Sequence, residues 1–371
     1  MNQIKLIGDG ICDDTAAIQA MLDKAGTVVI PDGTYFITHP LIIHDNTHLI
    51  VARNAVLKLA DHANCSLLDN DGLYRRCTNK NITIDGGIWD GNHDNQEREI
   101  IPNEDLPCDY EKYLSNSLLV LMIRLVHTEN LTVKNLTFKN PTSYAIHIAD
   151  TKYFTVENVM LDFDLTKLNM DGVHIQGPAR FGVIRNIMGN ANDDHVALCA
   201  NGTTRSEVTR GDIEDVDIDG IYCDNGYTGV RLLSRGDAVR NIRIKNIHGQ
   251  FRFFAVSFTH HYPMHDDLPV LLENIAVSDL YVSKSTGFVP EGQEHSVQKN
   301  ALVWFESDTH CRNIVIERLY RYERCKDTEA PAVSIDGRAR VENLTVRSIY
   351  QETPGRELLR IRNDAGCEII E

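Results

Sequence analysis

The 371 residues carry a formal net charge of -16, with 42% hydrophobic and 24% charged residues. That composition provides a large core and excludes wholesale disorder. The acidic balance argues against nucleic acid or an anionic membrane surface as partner, because both need clustered Lys and Arg. The longest apolar run, Leu118 to Ile123, has six residues, far short of a membrane span.

In chain order, the first predicted element is a helix over about residues 13–25. Asp13, Asp14 and Thr15 supply its cap, and Ala16, Ala17, Ile18, Ala20, Met21 and Leu22 its apolar side. Pro31-Asp32-Gly33-Thr34-Tyr35 follows as a turn. From there one phrase recurs: a polar or aromatic anchor, then apolar, any, apolar, two of any kind, apolar. Its anchors are Asn81, Asn130, Tyr153, Phe181, Asp215, Asn241, Asn274, Asn313 and Asn343, spaced 49, 23, 28, 34, 26, 33, 39 and 30 residues apart. Apolar alternation over four positions makes a short half-buried strand, and Asn suits the tight turn before it.

Repeats of this length signal a solenoid. Helical solenoids are excluded because almost no segment has a 3.6-residue apolar stripe, and propeller blades because the chain has only two Trp. The fold expected is all-β: one single-stranded right-handed parallel β-helix domain over residues 1–371, with the N-terminal helix closing its open end. The long gaps hold polar excursions, Gly91 to Lys112, His260 to Pro269 and Ser285 to Lys299, expected to project as loops that wall a groove. The Asn-x-Thr triplets at Asn81, Asn130, Asn135 and Asn343 follow from the repeat itself and are assigned no function.

Aligning the strand cores Ile146-His147-Ile148, Val173-His174-Ile175, Val196-Ala197-Leu198, Val230-Arg231-Leu232 and Val256-Ser257-Phe258 gives an outward column of His147, His174, Ala197, Arg231 and Ser257. Three residues earlier the column reads Tyr144, Asp171, Asp194, Thr228 and Phe254. Asp171 therefore stacks on Asp194, about 4.8 Å away, and Asp193 is adjacent. An isolated Asp at a turn usually caps backbone N–H groups. Three carboxylates at one level raise one another's pKa and fit glycosidic cleavage, which needs an acid and a base or nucleophile. His147, His174, His195, Arg231, Tyr227 and His260 are candidates for the substrate groove. Trp304, in the outward column, is a better stacking surface than Trp89. Metal ligation by the three outward histidines, or at His260-His261 with Asp266 and Asp267, is the weaker reading, and no metal or cofactor is expected.

Gly8-Asp9-Gly10-Ile11-Cys12-Asp13-Asp14-Thr15-Ala16-Ala17-Ile18-Gln19, with Val28 to Tyr35, resembles the opening of pectate-lyase-like β-helix proteins, a likeness specific for fold and weak for function. Asn169-Met170-Asp171 and Asn192-Asp193-Asp194 resemble the Asn-Thr-Asp and Gly-Asp-Asp motifs of the polygalacturonases, glycoside hydrolase family 28. That resemblance implies Asp193 as general acid, with Asp171 and Asp194 activating water for inversion at the anomeric carbon. Departures are plain. The family's Gly-His-Gly reads Tyr227-Thr228-Gly229, its Arg-Ile-Lys falls on Ser257-Phe258-Thr259, and His195 stands where it has Cys. Arg243-Ile244-Lys245 lies on a different strand and is discounted.

The function expected is a glycoside hydrolase acting on a pectin-related or other oligo- or polysaccharide. A polysaccharide lyase on the same scaffold, or a non-catalytic glycan-binding or tail-spike module, are the alternatives. Nine cysteines without a CxxC pair suggest free thiols in a reducing compartment. With no signal-peptide core in Met1 to Gly10, a cytoplasmic enzyme working on imported oligosaccharides is expected.

Overall fold

The computed structural model describes residues 5–97, 110–115, 120–202, 207–260, 268–291, 293 and 300–371. Every strand pairs in parallel with the strand one coil away, from Asp9–Asp13 to Ile369–Ile370. Long strands such as Ile146–Asp162 and Val173–Gly189 bend around corners and contribute to more than one face of a coil. The product is a parallel β-helix.

The repeat anchors are its corners. Asn81, Asn130, Tyr153, Phe181, Asp215, Asn241, Asn274, Asn313 and Asn343 all adopt left-handed backbone, with φ between 55 and 60°. Asn and Asp tolerate that conformation better than other residues with a Cβ. Their side chains then link the coils: Asn241 Nδ2 donates to Asp215 Oδ1 (3.0 Å), Asn274 to Asn241 (3.0 Å), Asn313 to Asn274 (2.8 Å) and Asn343 to Asn313 (2.8 Å). Where the anchors are aromatic, Tyr153 stacks on Phe181 with centroids 5.2 Å apart. The strand that follows each corner turns its apolar residues inward, so Ile84, Val133, Val156, Ile184, Val216 and Val277 are all fully buried. Each contributes about 1.5–3 kcal/mol over leaving it exposed.

The helix α1 occupies Thr15–Leu22, shorter than expected, and packs Ile18 and Leu22 on the first coil. Asp14 does not cap it. Its carboxylate accepts instead from the N–H groups of Ile7 (2.7 Å) and Gly8 (2.9 Å), while Asp13 Oδ1 accepts from Thr15 N (2.9 Å). The helix is thus tied to the incoming strand as much as to the coil beneath. Trp89 lies in the core with its indole N–H on Gly86 O (3.0 Å), which removes it as a stacking surface. Of the three expected loops, 98–109, 261–267, 292 and 294–299 lie outside the described residues, as do Asp266 and Asp267.

Candidate active site

The strand alignment expected from the sequence matches the observed register. His147 pairs with His174, His174 with Ala197, Ala197 with Arg231, and Arg231 with Ser257, then Trp304. Just before these strands, Asp194 pairs with Thr228, and Gly172 N donates to Asp194 O (2.8 Å). Asp171 and Asp194 therefore enter neighbouring strands at one level, and Asp194 N reaches Asp171 Oδ1 at 3.3 Å.

One oxygen from each of Asp171, Asp193 and Asp194 lies within 4.8 Å of the others. Arg231 comes up from the next coil between them, with Nε 2.7 Å from Asp194 Oδ2 and Nη2 3.1 Å from Asp193 Oδ1. One guanidinium cannot neutralise three carboxylates. Burial raises the Asp171 carboxyl well above the usual range, with Asp193 adding to it and Arg231 opposing. Asp194 is raised as well, again by burial first, against the pull of Arg231. Asp193 is the most exposed of the three, at 17% of its side chain. Asp194 Oδ1 is buried and accepts no hydrogen bond from the described residues, so it is an acceptor available to a water or a substrate hydroxyl.

On the other side of Asp171, His174 Nδ1 is 2.7 Å from Asp171 Oδ2. Although an ion pair by distance, the contact is better described as a neutral hydrogen bond. Burial lowers the His174 pKa to about 4 while it raises the carboxyl. Tyr144 fixes the imidazole plane by stacking on it, centroids 4.3 Å apart and 6° from parallel.

Other expected groove residues are placed differently. His195 does not reach the outward face: Nδ1 is 2.8 Å from Thr228 O, Nε2 is 3.0 Å from Gly189 O, and the ring packs edge-on to Phe251. It is a fully buried part of the wall within the strand Asp194–Cys199, with both ring nitrogens facing backbone carbonyls. His147 is covered by Tyr113, whose hydroxyl lies 2.5 Å from Nδ1. His260, also buried, sits at the far end of its strand with Nε2 3.0 Å from Ser307 O. Tyr227 and Trp304 stay half-buried, and Tyr227 stacks on Phe253 at 4.9 Å. Arg243 and Lys245 pair with Asp217 and Asp219 on a different face of the coil.

Several supporting residues escaped the sequence reading. Arg252 is buried and donates to Asn192 Oδ1 (2.8 Å) and Gln293 Oε1 (2.6 Å). Gln293 Nε2 in turn donates to Asn192 O (3.0 Å), which ties the turn carrying Asp193 to Gln293. An Arg among the aromatic residues of Phe251-Arg252-Phe253-Phe254 is the signal that was available. Glu207, buried and raised by that burial, lies near enough to His174 to interact with it electrostatically.

His93, Asp94 and Asp164 form a second group with metal-ligand geometry. Lys167 Nζ lies 3.1 Å from Asp94, and His93 Nε2 3.0 Å from Asp164, so the group is internally satisfied. A cavity of about 750 Å³ lined by Tyr281, Tyr320, Tyr350, Arg324 and Arg360 lies on a different run of strands, around Leu271–Lys284 and His310–Tyr322. It contains none of the three crowded carboxylates.

Residues 4–83 match a family model described as rhamnogalacturonase A/epimerase, pectate lyase-like, and residues 122–252 one described as a right handed beta helix region. The plasmin and fibronectin-binding protein A of Streptococcus pneumoniae is 31% identical over 168 residues, 41% of this chain and 22% of that protein. The mannuronan C5-epimerase AlgE2 of Azotobacter vinelandii is 28% identical over 260 residues, 61% of this chain and 24% of that protein. The chain thus spans under a quarter of the length of either. Among solved structures, the endo-xylogalacturonan hydrolase of Aspergillus tubingensis superposes with a TM-score of 0.58 at 16% identity, covering 98% of this chain and 97% of that one. The family 28 exopolygalacturonase of Yersinia enterocolitica gives 0.53 at 15% identity, covering 96% and 78%. With the coil geometry and register above, these likenesses give the fold as a right-handed parallel β-helix, and the likeness to the pectate lyase-like family model is confined to residues 4–83.

Proposed function

We propose that the chain is a glycoside hydrolase. The observation that carries this reading is the trio Asp171, Asp193 and Asp194, held within 4.8 Å on the outward face, with two carboxyls raised by burial. Hydrolysis needs a proton for the departing oxygen and a carboxylate that activates water or attacks carbon. Asp193, the most exposed, is the group best able to reach a glycosidic oxygen, in keeping with its role by resemblance. Asp194, with an unused acceptor oxygen, and Asp171, steadied by His174, are suited to holding the water. Inversion is the outcome expected from the resemblance. The carboxyls are nevertheless closer than the roughly 6.5–9.5 Å usual for inverting pairs, so the anomer of the first product is an independent test. The substrate is a pectin-related or other glycan.

A second reading is favoured by Arg231. A guanidinium among carboxylates also suits proton abstraction beside a uronate carboxyl, as in a lyase or epimerase, and a mannuronan epimerase is among the relatives. The experiment that separates these is a screen of diverse oligosaccharides with wild type beside Asp193→Asn. Reducing ends without ultraviolet absorbance, lost in the variant, support hydrolysis. An unsaturated absorbing product, or an epimerised polymer with no new ends, supports the second reading. Absence of any turnover, with binding of a protein ligand, supports a role like that of the plasmin and fibronectin-binding relative.

A further inference from the structure

The outward column does not stop at Arg231. Its next positions are Ser257, Trp304 and Ser334, in unbroken register. Along the edge where these strands begin, aromatic rings form a wall. Tyr227 stacks on Phe253 (4.9 Å between centroids), Phe253 touches Phe254 (3.9 Å), and Phe254 stacks on Trp304 (4.6 Å, 5° from parallel). Tyr227, Phe253 and Trp304 are half-buried, so the wall keeps an accessible surface. It starts beside the catalytic trio, close enough for the charge of Asp193 to act on the Tyr227 hydroxyl. Trp304 is fixed by its indole N–H, which donates to Asp336 Oδ2 at 3.0 Å.

The opposite edge, where the strands end, is acidic. Glu306, Asp336 and Asp364 follow successive strands, with Glu306 N on Phe258 O, Asp336 N on Phe305 O and Asp364 N on Ile335 O. Asp336 and Asp364 repel each other, and so do Asp336 and Glu306. Among the described residues, the cations that could answer a substrate carboxylate are already engaged. Arg231 is held by Asp193 and Asp194, and Arg124, one coil before His147, is fully buried together with its partner Asp69. Arg252 is committed to Asn192 and Gln293, and Lys284 to the carbonyls of Phe253 and Asn300. The next guanidinium among the described residues of the column, Arg362, lies two coils beyond Trp304.

We propose that this stretch, from Tyr227 to Trp304, is a subsite for uncharged sugar rings, which lay a C–H face on the aromatic wall and hydrogen-bond the carboxylates opposite. The identification of the ligand as a saccharide rests on the hydrolase reading. The preference for neutral over uronic sugars rests on the charges just described. Aromatic surface rewards an apolar ring face whatever its substituents, whereas Glu306 and Asp336 accept hydroxyl hydrogen bonds and repel a carboxylate.

The test uses Asp193→Asn, so that saccharides bind without turnover, and tryptophan fluorescence in buffer with EDTA. The chain has two Trp and Trp89 is fully buried, so a ligand-induced change reports on Trp304. The probes are the β-linked tetrasaccharides of xylose, galactose and glucose, set against tetragalacturonate. At least one neutral probe should change the fluorescence and bind about tenfold or more tightly than tetragalacturonate. Phe253→Ser and Trp304→Ala, in the same background, should each weaken it about tenfold by calorimetry, and Trp304→Phe much less. Tetragalacturonate binding as tightly as every neutral probe would overturn the proposal, as would no neutral binding at millimolar concentration. Binding undiminished in Phe253→Ser and Trp304→Ala would do so equally. Should neutral probes bind as expected while wild type cleaves none of them, the hydrolase reading fails and the subsite stands.

Discussion

His174 illustrates how much of the site is decided by single side chains. It stands in the outward column that strand alternation defines, so its position was legible from the spacing of Val173 and Ile175. Its role was not. The contact with Asp171 and the stack on Tyr144 depend on rotamers and on a neighbouring coil, which no strand pattern encodes. His195 shows the opposite failure, for although it directly precedes the strand core Val196-Ala197-Leu198, its ring lies inside the wall against Phe251. Burial gives His174 a testable signature. In the unfolded chain it takes up a proton near pH 6.5 and in the folded protein only near 4. Its contribution is therefore intact above pH 6.5 and is lost as pH falls from 6.5 towards 4, by up to roughly 3 kcal/mol. Melting curves of wild type and His174→Asn between pH 7 and 4 should show the variant losing less stability on acidification. Parallel curves would contradict the burial argument.

At the scale of the element, corners and turns matter more than strands. The repeat phrase located the corners because its anchors must adopt left-handed backbone, a requirement that Asn meets and that shows in composition. Asn274 both donates to Asn241 and accepts from Asn313. Asn274→Ala should cost about 1–2 kcal/mol by chemical denaturation, from backbone strain and two lost hydrogen bonds. Asn274→Gly should cost less, since glycine relieves the strain. Equal losses would show that the side-chain ladder alone matters. The turn bearing Asp193 is a different case, because its order comes from Arg252, a residue 59 positions later in the chain. Arg252→Met should leave Asn192 and Gln293 without their buried partner, costing about 2–4 kcal/mol. It should lower kcat more than it raises KM, as expected for a positioning residue. Unchanged kcat in the folded variant would separate Arg252 from the site.

The whole molecule is one continuous parallel stack, and its stability comes from buried aliphatic columns rather than cross-links. Eight cysteines are free among the described residues, with Cys108 outside them. Reductant should accordingly leave the melting temperature unchanged, and a clear drop would reveal a bridge that the free thiols contradict. At this scale the sequence was most informative, since register propagates from coil to coil and a periodic signal survives every variable loop. Contacts from outside the repeat were least legible, because no repeat constrains them, as Gln293 reaching back to Asn192 shows.

The central claim, that Asp171, Asp193 and Asp194 form a hydrolytic site, is most directly tested by following products of wild type and Asp193→Asn on a cleaved oligosaccharide by NMR. Hydrolysis at this trio gives new reducing ends without an unsaturated product, and a kcat at least about 10²–10³-fold lower in the variant, with KM little changed. An unsaturated product from wild type, or undiminished turnover in Asp193→Asn, would contradict it.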